Sequence, residues 1–353
     1  QEFSERFGIP VGETFGGKGS IRVKSDLSLG GQGVTGTALS GSIVAQADLV
    51  ISVGTRLTDF TTGSQSAFAN PDVRFISINV CGHDAYKQGA LPIVADAREG
   101  LRALIESAEL AGVKPDPGYM ERVSEAKREW KNTLKNEAFA QHAGEAMSQG
   151  QLIGVLNEES RESDVVIAAA GTPPGDLHKL WDVSQSAACQ LEFGYSCMGY
   201  EIPAALGARM FQPRGEVYVL IGDGTYLMNP TELVTAAQEN LKITVVISEN
   251  HGFQSIRGLQ MARAGRSFGN EFRQRDPTTD HLEGEFVDID FARNAESMGA
   301  RAWNVGTPDE LREALREARD ERRTCVIVAE TEKYRGLPPS QVWWDVAAAE
   351  VSQ

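Results

Sequence analysis

Two polar side chains, Asp223 and Asn250, stand where a protein could assemble a ligand site. Asp223 lies in a Gly-Asp-Gly turn that ends the apolar run Val217–Ile221, which is typical of a buried strand. Asn250 follows a second such run, Lys242–Ser248, and the residues between the runs favour a helix. Because neighbouring parallel strands lie about 4.8 Å apart, we expect both side chains to reach one point above the carboxyl edge of a sheet.

The chemistry that suits these groups is the binding of a metal and a diphosphate. A carboxylate, an amide oxygen and a free carbonyl beyond Asn250 suit Mg2+, which takes its remaining ligands from phosphate oxygens and water. Gly222 and Gly224 would let a diphosphate approach the backbone. The positive end of the helix predicted to begin near Thr225 would favour that negative charge.

The spacing of these residues resembles the signature of thiamine-diphosphate enzymes. Gly-Asp-Gly is followed by a step of 27 residues from Asp223 to Asn250, with Gly252 two positions further on. The resemblance implies that both side chains and the Gly252 carbonyl hold Mg2+ on the cofactor diphosphate. Gly-Asp-Gly alone more often marks a plain tight turn, but the full spacing favours the cofactor site. Glu249 departs from the family's usual Asn or Asp, and its side chain is expected to point away from the metal.

An earlier turn is expected to join the same site. The apolar run Asp164–Ala170 reads as a buried strand, and it stops at Gly171 and Thr172 before two prolines. A turn at the carboxyl end of a strand is where an open α/β sheet builds its ligand site, although a plain strand-to-helix turn is the alternative. The resemblance implies that Gly171 and Thr172 face the diphosphate.

Met198 is the remaining residue with a specific expected role. It lies in the segment Cys189–Met210, where a turn at Gly194 leads into a helix, and its type alone would favour a core position. The resemblance implies instead that Met198 is wedged between the two cofactor rings and that the Ser196 carbonyl accepts from the pyrimidine amino group. Such a wedge must be rigid, because the rings have to be held at attack distance.

The cofactor-binding residues that the resemblance implies are Gly171, Thr172, Ser196, Met198, Gly222, Asp223, Gly224, Thr225, Asn250, Gly252 and Phe253. His178 and His251 are the histidines near the predicted sheet edge, and either could handle a substrate proton at neutral pH. A hydrogen-bonded structural role is the alternative for each.

The family also uses a glutamate that these residues do not supply. It lies on an amino-terminal, pyrimidine-binding domain and activates the aminopyrimidine, whereas this chain opens at Gln1 on what resembles a helix tail. We therefore expect a piece of a longer polypeptide that is nearly inactive alone. The resemblance implies a homodimer or homotetramer in which a second subunit completes the site.

The elements that must position these residues predict two doubly wound α/β domains with mostly parallel sheets. Residues 1–113 are expected to form a central Rossmann-like domain, 114–150 a helical linker, and 151–353 the diphosphate- and Mg-binding domain. The strands expected in the first domain are Ile9–Thr14, Ala47–Gly54, Val73–Val80 and Leu91–Ala95.

Two further segments have open roles. The glycine-rich segment Leu29–Gly36 lacks both the GxGxxG order after a strand and a Walker lysine, which favours tight packing over a dinucleotide phosphate loop. Whether the first domain binds a flavin (FAD) stays open. The tail with Trp343 and Trp344 is expected to fold back onto a domain surface or a partner.

Composition limits the classes of function. The 353 residues include 49 acidic and 34 basic side chains, a formal charge of -15 without a basic cluster, which makes nucleic acid an unsuitable partner. No apolar run reaches the roughly 18 residues of a membrane span. The four cysteines lack CxxC pairing, which suits reduced thiols in a cytoplasmic protein.

Further segments resemble one branch of the thiamine-diphosphate enzymes. They are FGIPVGETFGGKG from Phe7, ADLVISVGTRLTDFTTGS from Ala47, GTPPGDLHKLW from Gly171, LEFGYSCMGYE from Leu191 and SFGNEFR from Ser267. This branch hydrolyses a carbon–carbon bond of trihydroxycyclohexane-1,2-dione, giving 5-deoxy-glucuronate in inositol catabolism. The alternatives are a carboligase resembling acetohydroxyacid synthase, which would share the cofactor residues, and a non-catalytic module that binds a nucleotide.

Overall fold

The chain divides into two compact units. The computed structural model describes residues 1–21, 26–140, 146–183 and 188–345. Unit 1 comprises Gln1–Leu134 and the described residues from Pro338 onward, and unit 2 comprises Lys135–Leu337. Both units contain parallel sheets with helices, which confirms the predicted α/β class.

Unit 1 contains two small parallel sheets. One has three strands in the order β3–β4–β5, and the other pairs β1 with β2. Its strands are β1 (Val11–Glu13), β2 (Ser28–Gly31), β3 (Leu49–Val53), β4 (Arg74–Asn79) and β5 (Leu91–Val94). Its helices are α1 (Glu2–Phe7), α2 (Ala38–Ala45), α3 (Asp59–Thr62), α4 (Gly82–Ala85), α5 (Ala97–Leu110) and α6 (Pro117–Thr133), with short 3-10 turns at Phe15–Gly17 and Lys87–Gly89.

The predicted linker is mostly helical and partly belongs to unit 1. Val123 and Trp130 of α6 are buried against Leu39 and Ile43 of α2, so this helix is part of the core of unit 1. A π-helical turn, Leu134–Ala138, follows it. The predicted boundaries at 113 and 150 therefore differ from those of the compact units, and His142 and Gly144 of the predicted linker lie outside the described residues.

The glycine-rich segment packs tightly within unit 1, as predicted. Gly33 has a φ of +106°, and a Cβ there would lie 2.5 Å from the Phe60 carbonyl oxygen. A Cβ on Gly36 would lie 2.4 Å from the carbonyl oxygen of Gly31. The glycines are thus required by close backbone contacts of this unit.

The tail also folds onto unit 1. The indole Nε1 of Trp344 donates to Asp59 Oδ2 at 3.0 Å, and its ring meets Phe60 edge-on with centroids 5.4 Å apart. Ser340 Oγ donates to the Val34 carbonyl at 2.9 Å. The tail was expected to pack on a domain surface or on a partner, and the structure shows it on the surface of unit 1.

Unit 2 is built on a six-stranded parallel sheet in the order β10–β11–β9–β8–β6–β7. The strands are β6 (Val165–Ala168), β7 (Ala188–Leu191), β8 (Val217–Gly222), β9 (Thr244–Glu249), β10 (Arg301–Val305) and β11 (Cys325–Glu330). The helices are α7 (Gln149–Glu159), α8 (Thr172–Leu180), α9 (Glu201–Phe211), α10 (Asp223–Tyr226), α11 (Glu232–Gln238), α12 (Gln254–Ala264), α13 (Phe291–Ser297) and α14 (Pro308–Asp320). Across the described parts of both units, no helix has the length and apolarity needed to cross a membrane.

The sequence of the inner strands explains their place in this sheet. Residues 217–221 and 244–248 are buried along their whole length, because helices cover both faces of the sheet. From β6 the chain crosses to β7 on one side, whereas β8 lies on the other side of β6. This reversal opens a crevice at the carboxyl ends of β6 and β8, which is where such sheets bind ligands.

Candidate active site

Asp223 joins the ends of two neighbouring strands. It directly follows β8 and is completely buried. Its Oδ1 accepts from the Gly224 amide at 2.6 Å, and its Oδ2 accepts from the amides of Asn250 at 3.0 Å and Gly252 at 3.1 Å. The carboxylate therefore shapes the loop after β9 and contacts the backbone of Asn250, whereas the convergence of the two side-chain oxygens on one metal stays a prediction.

The surroundings of Asp223 favour a neighbouring cation. Burial raises the pKa of Asp223 to about 6, although hydrogen bonds from the backbone of Gly224, Gly252, Asn250 and His251 act against this rise. A divalent cation beside the carboxyl group would stabilise its charged form. The electrostatics of the site thus agree with a metal ligand at this position.

Asn250 presents an oxygen that the described residues leave without a partner. Its side chain is only 7% exposed, and its Oδ1 is buried with no hydrogen-bond donor in the part of the chain that the structure describes. An unpartnered buried oxygen costs free energy, so it marks a position that a ligand can fill. A hard cation is a ligand of that chemistry.

The backbone at Gly252 can be made only by glycine. Its φ is +146°, and a Cβ would lie 2.3 Å from the carbonyl oxygen of Asn270. The next amide, of Phe253, donates to that same oxygen at 2.7 Å, so residues around 270 brace the loop from outside. The Asp223 carboxylate, the unpartnered Asn250 Oδ1 and the main chain at Gly252 together form a set of oxygen donors that fits Mg2+.

The approach to this donor set is open at one glycine and packed at the other. No atom lies within 4 Å of where a Cβ on Gly222 would be, whereas a Cβ on Gly224 would lie 2.5 Å from the ring of Phe253. Thr225 is buried in the four-residue helix α10. A helix does begin near Thr225, as predicted, but it ends after one turn at Tyr226 and the chain becomes helical again only at α11, so helix-end electrostatics give little support to a diphosphate.

The loop after β6 lies beside the end of β8. Gly171 has a φ of +84° and precedes α8, whose first residue is Thr172. The Thr172 hydroxyl donates to Gln149 Oε1 at 3.3 Å, and that oxygen also accepts from Ser248 at 2.9 Å. Gln149 therefore links the predicted diphosphate loop to the end of β9.

Met198 is not a core residue of this chain. Its side chain is 40% exposed, which leaves an apolar group available to a ligand. Ser196, in the same turn, has a left-handed φ of +49°, an uncommon conformation for a residue other than glycine. The Glu192 carboxylate holds the turn by accepting from the amides of Cys197 at 3.0 Å and Tyr195 at 3.4 Å.

The two histidines are placed very differently. His251 lies between Asn250 and Gly252, half-buried, with its ring tilted against Phe286 at 5.0 Å between centroids. His178 is fully buried in the last turn of α8, about 9 Å along the helix from Thr172. The structure does not bring His178 to the crevice, so the hypothesis that it handles a substrate proton is corrected.

Three residues that shape the site were not predicted from the sequence: Gln149, Glu192 and Glu201. Glu192 and Glu201 flank the turn that carries Met198, and the Glu201 carboxyl accepts from the Ala170 amide at 3.1 Å. An acidic residue on each side of a glycine- and serine-containing turn is the one local signal that was available. Gln149 gave none, because its partners lie 23 and 99 positions away in the chain.

A parallel sheet with a switch point, and a buried carboxylate and amide at the ends of its strands, are typical of ligand-binding α/β proteins of the doubly wound class. Residues 169–329 match the family model described as thiamine pyrophosphate enzyme, C-terminal TPP binding domain, and residues 1–104 match that of the central domain of the same enzymes. The chain therefore belongs to the thiamine pyrophosphate (thiamine diphosphate) enzyme family, as its motifs predict.

Individual proteins of this family are similar to the chain over its whole length. Over its whole length the chain is 38% identical to proteins named 3D-(3,5/4)-trihydroxycyclohexane-1,2-dione hydrolase from Clostridium tetani and Bacillus cereus. A protein of that name from Bacillus anthracis is also 38% identical. The chain spans 58% of the length of each of these relatives.

Proposed function

We propose that this chain forms the central and diphosphate-binding parts of a thiamine-diphosphate-dependent hydrolase. The substrate would be a trihydroxycyclohexane-1,2-dione, opened at a carbon–carbon bond to 5-deoxy-glucuronate in inositol catabolism. The observation that carries the cofactor assignment is the unpartnered Asn250 oxygen in the loop that Asp223 organises. The substrate assignment is supported by the 38% identity to relatives named for that reaction.

Each part of the site has a task in this proposal. Asp223, Asn250 Oδ1 and the Gly252 carbonyl would hold Mg2+, while Gly171 and Thr172 face the diphosphate. Bound thiamine diphosphate supplies a nucleophilic carbon and an electron sink.

The apolar side chain of Met198 would orient the cofactor rings and keep water away from them. The Ser196 carbonyl would accept from the pyrimidine amino group, and Gly222, Gly224, Thr225 and Phe253 would line the diphosphate side. His251, which lies between Asn250 and Gly252, stays the candidate for handling a substrate proton. The dione would bind between the carboxyl edge of the unit 2 sheet and the second subunit that is proposed to complete the site.

The proposed assembly is a homodimer or homotetramer whose second subunit completes the site. Large apolar side chains near the crevice are exposed in the single chain, with Tyr195 91% and Met198 40% exposed, and such groups support a contacting surface. All four cysteines are free, which supports the proposed cytoplasmic location.

The test is a product analysis with the complete enzyme. Incubation with thiamine diphosphate, Mg2+ and the dione should yield 5-deoxy-glucuronate by NMR and mass spectrometry, and no ring-opened acid should form when the cofactor is omitted. Incubation with pyruvate in place of the dione should yield no acetohydroxy acid. A condensation product without ring opening would favour the carboligase, and binding of an adenine nucleotide without thiamine diphosphate would favour the non-catalytic module.

A further inference from the structure

Glu201 is a buried acid that the proposed function does not use. It is the first residue of α9 and has no exposed surface. Its Oε1 accepts from the Ala170 amide at 3.1 Å, while its Oε2 is buried without a hydrogen-bond partner among the described residues. A carboxyl group is costly to bury unless its contacts compensate, so this position needs a physical reason.

Glu201 lies between two turns that face the crevice. Ala170, whose amide it binds, immediately precedes Gly171 in the loop after β6. On its other side, Gly199 and Met198 form the turn that leads into α9. A Cβ on Gly199 would lie 3.1 Å from Cβ of Asn229, so that turn also packs closely against the segment after α10.

We propose that Glu201 is a positioning residue of the cofactor site, which fastens the turn carrying Met198 to the loop carrying Gly171. This inference rests on the proposed function, in which one turn contacts the cofactor rings and the other its diphosphate. Fixing the spacing between the turns would preorganise the site for both ends of the cofactor. No other side-chain bond between these two turns occurs among the described residues.

The electrostatics of Glu201 suit a position beside an anionic ligand. Burial raises the pKa of Glu201 to about 7, against the opposing effect of the nearby backbone amides, among them the amide of Ala170. Of these backbone groups, the Ala170 amide lies within hydrogen-bonding distance of Oε1. Its neutral form repels a diphosphate less than an ordinary glutamate would, and it can donate a hydrogen bond from Oε2.

The test compares Glu201→Ala and Glu201→Gln in the complete enzyme. Calorimetry with thiamine diphosphate and Mg2+ should show that Glu201→Ala weakens cofactor affinity about tenfold, as expected for losing a hydrogen bond to an acid. Glu201→Gln keeps an acceptor for the Ala170 amide, so its affinity should stay within about threefold of wild type. If Glu201→Ala and Glu201→Gln have equal melting temperatures, a role in stability alone would not explain why Glu201→Gln binds the cofactor more tightly than Glu201→Ala.

Glu216 is the matched control, because it is another buried glutamate of unit 2. It binds Lys242 and Thr244 at the amino-terminal end of the sheet, roughly 20 Å from Asp223 along β8. Glu216→Ala should lower the melting temperature and leave cofactor affinity unchanged.

The outcomes separate this inference from the proposed function. Wild-type affinity in Glu201→Ala, or equal loss in Glu201→Ala and Glu201→Gln, would overturn the positioning role while the function stood. Absence of thiamine diphosphate binding by the wild type would overturn both. Should Glu201→Ala fail to fold, Glu201→Asp withdraws the carboxyl by one methylene, and an affinity equal to wild type would then contradict the inference.

Discussion

Asp223 illustrates how one side chain can organise a site and also serve it. Its carboxylate accepts three backbone hydrogen bonds, two of them from the loop after β9. The same loop carries the unpartnered oxygen of Asn250. At the scale of single residues, the site is therefore preorganised by the acid that is also proposed to ligate the metal.

Met198 provides the first residue-scale prediction. Met198→Ala removes the proposed wedge and leaves the diphosphate anchor intact, so kcat should fall at least about tenfold while cofactor affinity changes less than about threefold. Steady-state kinetics and calorimetry on the complete enzyme would measure both. Met210→Ala is the control, because Met210 is also exposed but lies in the last turn of α9. Wild-type turnover in Met198→Ala would contradict the wedge.

The second residue-scale prediction concerns the stability of unit 2 at Asp164, which lies away from the proposed cofactor site. This buried carboxylate accepts from Arg319 Nη2 at 2.8 Å, and the same nitrogen donates to the Tyr218 hydroxyl at 2.8 Å, which ties α14 to β6 and β8. Asp164→Asn leaves the largely buried guanidinium of Arg319 without its counter-charge. The free energy of unfolding should fall by about 3 kcal/mol at pH 7, measured by denaturant titration.

The pH dependence of this pair has a definite sign. Burial raises the pKa of Asp164, but hydrogen bonds from Arg319 and from the backbone of Glu216 and Arg161 outweigh burial, so its pKa lies below the ordinary value. The pair's stabilisation is therefore present above pH of about 4 and is lost as pH falls through the lowered pKa. The difference between wild type and Asp164→Asn should shrink there. A difference that is unchanged at low pH would contradict this account, and Glu159→Gln, at a more exposed pair, should change stability little.

At the scale of elements, the loop between β9 and α12 carries two of the three proposed metal ligands. It is stapled to residues 270–272 by the Phe253 amide and by a bond from the Phe272 amide to the His251 carbonyl at 3.0 Å. α12 then begins at Gln254, and none of its residues is buried. The segment that follows α12 thus holds the loop through its backbone, and Gln254 at the start of α12 adds a bond from its Nε2 to the Asn250 carbonyl at 3.0 Å.

Two glycines near α12 give a matched pair of variants. Gly252→Ala would force a Cβ into the Asn270 carbonyl and displace the proposed metal ligand, so Mg-dependent cofactor affinity should fall more than about tenfold. Gly258→Ala meets no atom within 4 Å inside α12 and should raise stability by up to about 1 kcal/mol without changing affinity. Calorimetry and thermal unfolding of both variants measure this, and equal cofactor affinities would refute the role of the Gly252 loop.

The same scale shows why some elements could be predicted from sequence. The inner strands of unit 2 are buried on both faces, so β8 and β9 appear as continuous apolar runs with the ligand-bearing turns at their ends. The first part of the predicted linker was different. α6 exposes most of its polar residues and buries only Val123 and Trp130, and a pattern that sparse does not reveal which unit the helix joins.

At the scale of the whole molecule, long-range contacts limit what sequence can predict. Ser340 and Trp344 contact residues about 300 positions earlier in the chain. Apart from the apolar character of the tail, no local sequence pattern therefore indicates where these residues pack on unit 1. Glu201 is similar, because its partner Ala170 lies 31 residues away. His178 was placed at the sheet edge by its proximity in sequence to Thr172, but the helix carries it away from that edge.

The central claim is that Asp223 and Asn250 place a divalent metal on the cofactor diphosphate, and Mn2+ can report on it directly. With Mn2+ in place of Mg2+ in the complete enzyme, electron–nuclear double resonance should detect phosphorus coupling to the metal when thiamine diphosphate is bound. Asp223→Ala should abolish that coupling and the metal-dependent binding, whereas Asp309→Ala, at an exposed carboxylate of α14, should keep both. Undiminished phosphorus coupling in Asp223→Ala, or cofactor binding that does not depend on a metal, would contradict the claim.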